Sequence, residues 1–246
     1  MSHAAQALVL AAGKGTRMGG DSPKVLVEAG GRPLLHWVLD SLRDAGCDRV
    51  VTIVGYGRDR VVAALPAGVD WVEQAEQLGT GHAVLCARDA FEGFEGAVLI
   101  TYGDMPLVTG ETYRRLLDAH LAGGAAGTVL TARIAPPHRY GRVVRGPDGG
   151  VRRIVEAADA TDEELAIDEI NTGVYVFSWP ELRGVLGRIT NDNQQGEYYL
   201  PDAVELLLQD GKPFGALELK DAEEGNGVNS PADLERVEAI LAARAG

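Results

Sequence analysis

Near its beginning the chain reads Gln-Ala-Leu-Val-Leu-Ala-Ala-Gly-Lys-Gly-Thr-Arg-Met over residues 6–18, an apolar run that ends in a glycine-rich basic loop. A short apolar run that stops at a glycine is typical of a strand buried on both faces. Gly13 and Gly15 can adopt positive φ and let backbone N–H groups face a ligand closely, so the loop predicts an anion-binding cradle. Open α/β sheets bind their ligands at this place, the carboxyl end of a strand.

Three cations accompany this loop, namely Lys14, Arg17 and Lys24. The formal net charge of the chain is −13, so the average field of the protein repels an anionic ligand. The local concentration of positive charge between Lys14 and Lys24 therefore predicts a phosphate-binding site. The third glycine of a dinucleotide fingerprint and the Gly-Lys-Ser/Thr of a Walker loop are absent, so neither motif is indicated. By itself, a Gly-x-Gly loop is as typical of a tight turn with solvated lysines.

The composition indicates a globular protein, with 46% apolar and 24% charged residues in a chain of 246. No apolar run reaches the roughly 18 residues needed to span a bilayer, and the negative charge argues against a nucleic-acid or anionic-membrane surface. The two cysteines, Cys47 and Cys86, are too few for a disulfide framework, and no secretory signal is recognisable. We therefore expect a cytoplasmic protein that binds neither nucleic acid nor membranes.

The first half of the chain alternates between buried strands and amphipathic helices. The pattern predicts strands at 6–12, 49–54, 69–73 and 97–101, and helices that begin near Pro33, Arg58, Thr80 and Thr109. Thr80 is predicted to N-cap its helix. This alternation indicates an α/β fold of the Rossmann-like type, a mostly parallel mixed sheet with helices on both faces.

The alternation of strands and helices ends after residue 125, where predicted strands follow one another with few helices between them. They are predicted at about 127–134, 140–145, 151–156 and 168–177. Ser230-Pro-Ala-Asp233 is typical of a helix start, with a serine cap and proline at the first helical position. No linker-like segment interrupts the chain. We expect a single domain, 1–246, with one half at about 6–125, a β-rich half at about 126–229 and a C-terminal helix at 230–246.

The opening loop, with Pro23-Lys24 four residues after it, resembles the signature of the sugar-phosphate nucleotidyltransferases. Further matching stretches are Gln74-Ala-Glu-Gln-Leu-Gly-Thr-Gly-His82, Tyr102-Gly-Asp-Met-Pro106, Tyr140-Gly-Arg142, Glu169-Ile-Asn-Thr-Gly173, Asn193-Gln-Gln-Gly-Glu-Tyr-Tyr199 and Gly227-Val-Asn229. Together, from residue 6 to about 240, they resemble the N-terminal uridylyltransferase domain of the bifunctional bacterial N-acetylglucosamine-1-phosphate uridylyltransferase/glucosamine-1-phosphate acetyltransferases. The resemblance implies a nucleotide-diphospho-sugar transferase fold, with a nucleotide-binding first half and a sugar-binding second half.

The resemblance implies a Mg²⁺-dependent enzyme that makes a cell-wall precursor. Its substrates would be UTP and N-acetylglucosamine 1-phosphate, and its products UDP-N-acetylglucosamine and pyrophosphate. The attacking phosphate oxygen is already an anion near neutral pH, so the reaction needs no general base. This is consistent with a sequence that has no convincing Ser/His/Asp or Cys/His group. Such a reaction depends on charge neutralisation and alignment.

The resemblance also implies roles for individual residues. The nucleotide would meet Leu10, Ala11, Ala12, Gly13, Gly15 and Lys24, and its uracil would meet Gln74, Gly79 and Thr80. The sugar pocket would be lined by Tyr102, Gly103, Gly141, Glu156 and Asn171. Asp104 and Asn229 would hold Mg²⁺. As catalytic residues, Lys14 and Arg17 would stabilise the departing pyrophosphate and Lys24 the α-phosphate region.

Taken singly, several of these residues also fit ordinary structural roles. Asp104 before Met-Pro is typical of a turn, and Glu156 of a solvated surface acid. Gln74 and Asn171 are as compatible with structural hydrogen bonding at strand ends. His82 is expected to face inward from its helix, and a lone histidine is weak support for catalysis.

The sequence departs from the resemblance in two places. The related proteins usually carry a basic residue two positions after the glutamate that matches Glu156, whereas this chain has Ala157-Ala158. Another sugar 1-phosphate, such as glucose 1-phosphate, with UTP or dTTP therefore stays as an alternative, as does a non-catalytic nucleotide-sugar-binding protein. The chain also ends after its last helix, so the β-helix acetyltransferase domain and the trimer of the bifunctional proteins are not expected.

Overall fold

The computed structural model of the chain describes residues 5–15 and 22–245. The apolar run at its start forms the strand β1 (Ala5–Ala11), of which every residue except Gln6 is buried. Parallel strands flank β1 on both sides, so its backbone groups are paired in both directions and its side chains face two packed layers. The prediction of a buried central strand before the glycine loop is confirmed.

The first half of the chain contains the strands and helices that its periodicity predicts, within one or two residues. After β1 come β2 (Glu28–Ala29), β3 (Arg32–Pro33), α1 (Leu34–Asp44), β4 (Arg49–Val54), α2 (Arg58–Ala64), β5 (Asp70–Glu73), α3 (Thr80–Cys86), β6 (Ala97–Tyr102) and α4 (Gly110–Gly123). The predicted cap of α3 is wrong. Gly79 occupies the cap position, and the Thr80 hydroxyl instead accepts a hydrogen bond from Leu200 N at 2.9 Å.

The second half contains the predicted strands and several elements that the sequence pattern does not predict. In order they are β7 (Gly127–Arg133), β8 (Arg142–Arg145), β9 (Val151–Val155), α5 (Asp162–Leu165), β10 (Glu169–Ser178), α6 (Trp179–Leu186), α7 (Asp202–Gln209), β11 (Phe214–Glu218) and α8 (Pro231–Ala245). The unpredicted elements α5, α6, α7 and β11 have four to eight residues each. Helices this short are marginal alone and depend on packing against the sheet, which local pattern does not report.

Within residues 5–15 and 22–245, nine strands form one mixed sheet. Seven of them follow the order β11-β7-β10-β6-β1-β4-β5, and β8 and β9 form an antiparallel ribbon attached to β10. Strands β5, β4, β1 and β6 are parallel, whereas β10 runs antiparallel to both β6 and β7. The strand direction therefore reverses between β6 and β10, and the strands of the second half join those of the first through β10.

Helices cover both faces of this sheet, as the fold prediction requires. Successive side chains of β1 alternate between the two faces, because strand residues point to opposite sides of a sheet. Leu8 and Leu10 pack in the layer that includes residues of α3, α6 and α7. Ala7 and Val9 pack in the layer that includes residues of α1 and α4. The mostly parallel α/β sheet with two helical layers is confirmed.

The last helix begins as its sequence predicts. The Ser230 hydroxyl accepts from Asp233 N at 3.3 Å and donates to the Asp233 carboxylate at 2.9 Å. Val237 of α8 lies in a small apolar cluster with Ala29 of β2 and Leu34 of α1. Among the residues that the structure describes, no helix combines the length and apolar composition that crossing a bilayer requires.

Leu8→Ala is expected to lower the free energy of unfolding by roughly 2–5 kcal/mol, because it leaves a cavity beneath the central strand. Leu121→Ala is the control, since Leu121 on α4 is 39% exposed and its truncation should change stability by about 0.5 kcal/mol or less. Urea denaturation followed by circular dichroism gives both values. Equal losses in the two variants would contradict the burial of Leu8.

Candidate functional site

A cleft opens at the carboxyl ends of β1, β5 and β6 and contains two adjoining cavities. The first cavity, of about 360 Å³, is lined by Leu10, Ala11, Ala12, Gly13, Lys14, Lys24, Val25, Gln74, Gln77, Gly79, Thr80, Ala83, Tyr102, Asp104 and Glu197. The second cavity, of about 330 Å³, is lined by Lys24, Tyr102, Asp104, Met105, Arg139, Tyr140, Gly141, Glu156, Asn171, Thr172, Gly173, Gly225, Gly227 and Asn229. Three residues, Lys24, Tyr102 and Asp104, line both.

The two cavities bring together most of the residues that the sequence singles out. The residues expected to meet the nucleotide line the first cavity, apart from Gly15, and those expected to meet the sugar line the second, apart from Gly103. A Cβ on Gly103 would meet side chains of Val25 and Leu35 at 3.0 and 3.1 Å, so Gly103 is a packing position. Arg17, predicted to be catalytic, lies outside the described residues.

Gly15 affects the cleft through its contact with Lys24. Its φ is +61°, and a Cβ at this position would lie 2.6 Å from the Cβ of Lys24. A side chain would therefore both strain the backbone and displace the stem of Lys24. Lys14 is exposed at the mouth of the first cavity, with its ammonium 5.6 Å from the centre of the Tyr56 ring.

Lys24 connects three distant parts of the chain. Its ammonium forms an ion pair with the carboxylate of Asp104, which follows β6, and donates to Asn229 Oδ1 at 3.0 Å, just before α8. The Lys24 and Asp104 side chains are only 17% and 11% exposed, so this ion pair is screened less than one on the surface. Val228 N donates to the backbone oxygen of Asp104 at 2.9 Å, which holds Asn229 beside the carboxylate.

The oxygens of Asp104 and Asn229 suit the magnesium ion that the resemblance implies. Both are hard donors, and both converge on one ammonium, which marks a position where a cation is stabilised. Across the described part of the chain, no group of three or more His, Cys, Asp or Glu side chains could hold a metal. Since Mg²⁺ commonly takes one or two protein oxygens together with substrate phosphates and water, this donor set fits a metal shared with a phosphate ligand.

The deep end of the first cavity is built by the loop before α3. The side-chain amide of Gln74 is buried and donates to the backbone oxygen of Gly79 at 3.0 Å. Gly79 has φ +112°, and a Cβ there would lie 2.5 Å from the backbone oxygen of Tyr198. Only glycine fits this close approach. Tyr198 N donates to Leu78 O, and Gly81 N donates to Tyr198 O, so the loop is fixed against this second segment.

The second cavity contains a carboxyl group with a shifted pKa. Burial, together with the nearby carboxylates of Asp159, Asp202 and Glu197, raises the pKa of Glu156 from 4.5 to about 7. Its Oε1 would lie 3.2 Å from a Cβ on Gly141, so the glycine leaves room for the carboxyl group. A carboxyl group that titrates near neutral pH can accept hydrogen bonds from sugar hydroxyls when it is ionised.

A bulge in β10 forms the opposite wall of the second cavity. The register of β10 against β7 shifts between Asn171 and Tyr175, and Gly173 between them has φ +83°. Asn171 Oδ1 accepts from Gly173 N and from the Tyr175 hydroxyl, both at 2.9 Å. This leaves the amide N–H groups of Asn171 to meet a ligand. A Cβ on Gly173 would lie 2.2 Å from the ring of Tyr102, so the glycine makes room for Tyr102, which lines both cavities.

Gln77, Arg139 and Glu197 also line the cavities, although the sequence motifs assign them no role. Arg139 is exposed, and the described residues include no hydrogen-bond or ion-pair partner for its guanidinium. Its neighbour in the matched motif, Arg142, is buried and donates to backbone oxygens including His138 O at 3.1 Å. A basic residue directly before the Tyr-Gly-Arg stretch is the signal that could have identified Arg139.

Residues 7–145 match the MobA-like NTP transferase domain family. The chain is 47% identical over 238 residues to the bifunctional protein GlmU of Lactococcus lactis subsp. cremoris strain SK11, and 46% identical over 240 residues to that of Trichlorobacter lovleyi. Each match covers 97% of this chain and 52% of the relative, so the chain spans about half the length of the curated relatives it matches.

Among solved structures, the fold is similar to that of a UDP-glucose pyrophosphorylase from Acinetobacter baumanii. The TM-score is 0.74 at 19% sequence identity, and the match covers 98% of this chain and 94% of that one. At this identity the similarity establishes the fold alone. It confirms the nucleotide-diphospho-sugar transferase type of sheet.

Glu156→Gln is expected to be more stable than the wild type at pH 8, by roughly 1–3 kcal/mol, and equal to it near pH 4. Since the pKa of Glu156 is raised to about 7 in the folded chain, folding favours the protonated carboxyl group. That contribution is complete below the unfolded pKa and is lost as the pH rises towards 7, whereas glutamine stays neutral throughout.

Chemical denaturation at pH 4, 6 and 8 measures the difference between wild type and Glu156→Gln. Glu235→Gln, which replaces an exposed glutamate on α8, is the matched control. A constant difference between wild type and Glu156→Gln at all three pH values would contradict the raised pKa.

Proposed function

The chain belongs to the MobA-like NTP transferase family, and we propose that this nucleotidyltransferase joins UTP to N-acetylglucosamine 1-phosphate, giving UDP-N-acetylglucosamine and pyrophosphate. The observation that carries the proposal is the junction of the two cavities at Lys24, Tyr102 and Asp104. A reaction between two phosphates needs two neighbouring pockets with a cation between them. Lys24 supplies that cation at the shared wall.

The first cavity is proposed to hold the nucleotide. Gly13 has open space around its Cα, so a phosphate can approach the backbone of the loop closely. Lys14 at the cavity mouth supplies positive charge near the departing pyrophosphate, in a protein whose net charge is otherwise −13. At the deep end, the buried amide of Gln74 offers a hydrogen-bonding group to the edge of the base.

The second cavity is proposed to hold the sugar phosphate. Glu156 and the amide of Asn171 supply an acceptor and donors for the sugar hydroxyl and amide groups. Arg139 is a cation at this cavity, whereas Ala157 and Ala158 carry no charge. Most residues of this cavity come from the predicted sugar-binding half and most of the first from the nucleotide-binding half. That supports the division of the chain, which stays a prediction.

The proposed chemistry is an in-line displacement at the α-phosphorus of UTP, with the sugar phosphate as the nucleophile. An ammonium about 4 Å from a developing charge contributes roughly 4 kcal/mol at an effective dielectric constant of about 20. Felt only in the transition state, that attraction would give about three decades in rate. Lys24 and Lys14 thus supply alignment and charge neutralisation, and no residue needs to remove a proton.

Asp104 and Asn229 are the residues proposed to hold Mg²⁺. A bound magnesium ion would supply further charge neutralisation at the phosphates. The ammonium of Lys24 bridges these two side chains, so it would have to leave their oxygens when a cation binds there. The negative charge of Asp104 is thereby balanced before and after ligand binding.

Release of pyrophosphate from UTP is the direct test of this function. We expect turnover with N-acetylglucosamine 1-phosphate in the presence of Mg²⁺ and none after addition of a chelator. A panel with glucose 1-phosphate and other sugar phosphates, and with dTTP, measures the selectivity. Faster turnover of another sugar phosphate would show that this compound, and not N-acetylglucosamine 1-phosphate, is the preferred substrate. Tight nucleotide-sugar binding without any turnover would favour a non-catalytic binding protein.

Arg139→Ala is expected to raise KM for the sugar phosphate about tenfold, the effect of losing one charge-assisted hydrogen bond. KM for UTP should change less than twofold, because Arg139 lines only the second cavity. Arg152→Ala is the matched control, since Arg152 is an exposed arginine on β9 that pairs with Asp148 and lines neither cavity. Unchanged KM for the sugar phosphate would remove Arg139 from the site.

A further inference from the structure

The orientation of the Gln74 amide is determined by two neighbours. Its Nε2 donates to Gly79 O at 3.0 Å and lies 3.1 Å from His82 Nδ1. A backbone carbonyl oxygen can only accept a hydrogen bond, so the end of the amide that faces Gly79 is the NH₂ group. Its Oε1, with no partner among the described residues, is then the atom left to meet a ligand in the first cavity.

The same contact determines the tautomer of the neutral His82 ring. Because the amide NH₂ of Gln74 faces Nδ1, that ring nitrogen accepts, and the proton of the neutral imidazole is on Nε2. Nε2 lies 3.7 Å from the sulfur of Cys86, one turn further along α3. His82 is half-buried and lines neither cavity, whereas Gln74, which it contacts, lines the first.

An amide oxygen that faces the cavity distinguishes between two pyrimidines. Uracil carries an N–H at position 3, which Oε1 can accept, whereas cytosine has a lone pair there. To donate to cytosine, the Gln74 amide would have to rotate and direct Oε1 at Gly79 O and His82 Nδ1. Gly79 O would then oppose Oε1 as an acceptor, and His82 could donate to Oε1 only if the ring proton moved from Nε2 to Nδ1, in a buried position where unpaired polar groups are costly.

We propose that His82 is a positioning residue which, together with Gly79, holds the Gln74 amide in the orientation that selects uracil over cytosine nucleotides. This inference rests on the proposed function only in requiring that a pyrimidine nucleotide bind in the first cavity with its base at Gln74. It assigns a role to the histidine that ends the Gln74–His82 stretch.

The test compares the Kd values for UTP and CTP, by calorimetry with Mg²⁺ present, in wild type and two variants. His82→Leu removes the acceptor at Nδ1, so the preference for UTP should fall about fivefold, the factor that one hydrogen bond of about 1 kcal/mol supplies. His82→Asn places an amide oxygen near the position of Nδ1 and should restore most of the preference. His36→Leu, at a histidine of α1 that bonds to Ala64 O, is the matched control.

Two further measurements distinguish the possible failures. The ¹⁵N shifts of the His82 ring should show Nδ1 unprotonated and Nε2 protonated, and thermal melts should show that each variant is folded. An unchanged UTP/CTP ratio in folded His82→Leu, or a protonated Nδ1 in the neutral ring, would overturn the inference. Selective UTP binding without pyrophosphate release would instead contradict the proposed function and leave the role of His82 in place.

Discussion

The ammonium of Lys24 lies between the carboxylate of Asp104 and the amide oxygen of Asn229. In a chain with a net charge of −13, an unpaired carboxylate at the wall of both cavities would repel every phosphate that approached it. Lys24 balances that charge and connects the segment that follows the glycine-rich loop, the end of β6 and the start of α8. The two cavities depend on this contact because it lies where they meet.

The change of strand direction at β10 determines what surrounds this contact. Without β10, β6 would be the edge strand of the parallel part of the sheet, and no further strand would lie beside it to form a second cavity. Antiparallel β10 and the β8–β9 ribbon instead bring Asn171, Gly141 and Glu156 to the same cleft as the loop after β1. A second cavity next to the first is the consequence.

Two stretches that are far apart in the chain form one structural unit at the Gln74 end of the first cavity, where the base is proposed to bind. Backbone hydrogen bonds join Leu78 and Gly81 to Tyr198, and Leu200 N donates to the Thr80 hydroxyl. Gly79 must be glycine because Tyr198 lies against its backbone. These contacts fix the loop against the second stretch, and with it the amide of Gln74 and the imidazole of His82 beside it.

The sequence by itself determined the longer strands and the helices of the first half, the end of β1 at a glycine-rich loop and the capped start of α8. These depend on local periodicity, glycine and capping, which neighbouring residues specify. Only the tertiary structure decided that Lys24 pairs with Asp104 and Asn229, that Thr80 bonds to Leu200 instead of capping α3, and that α6, α7 and β11 form. It also decided that Arg139 lines the second cavity whereas Arg142 is buried. Such contacts join residues remote in sequence, and their energies depend on burial and charge that exist only once the sheet has formed.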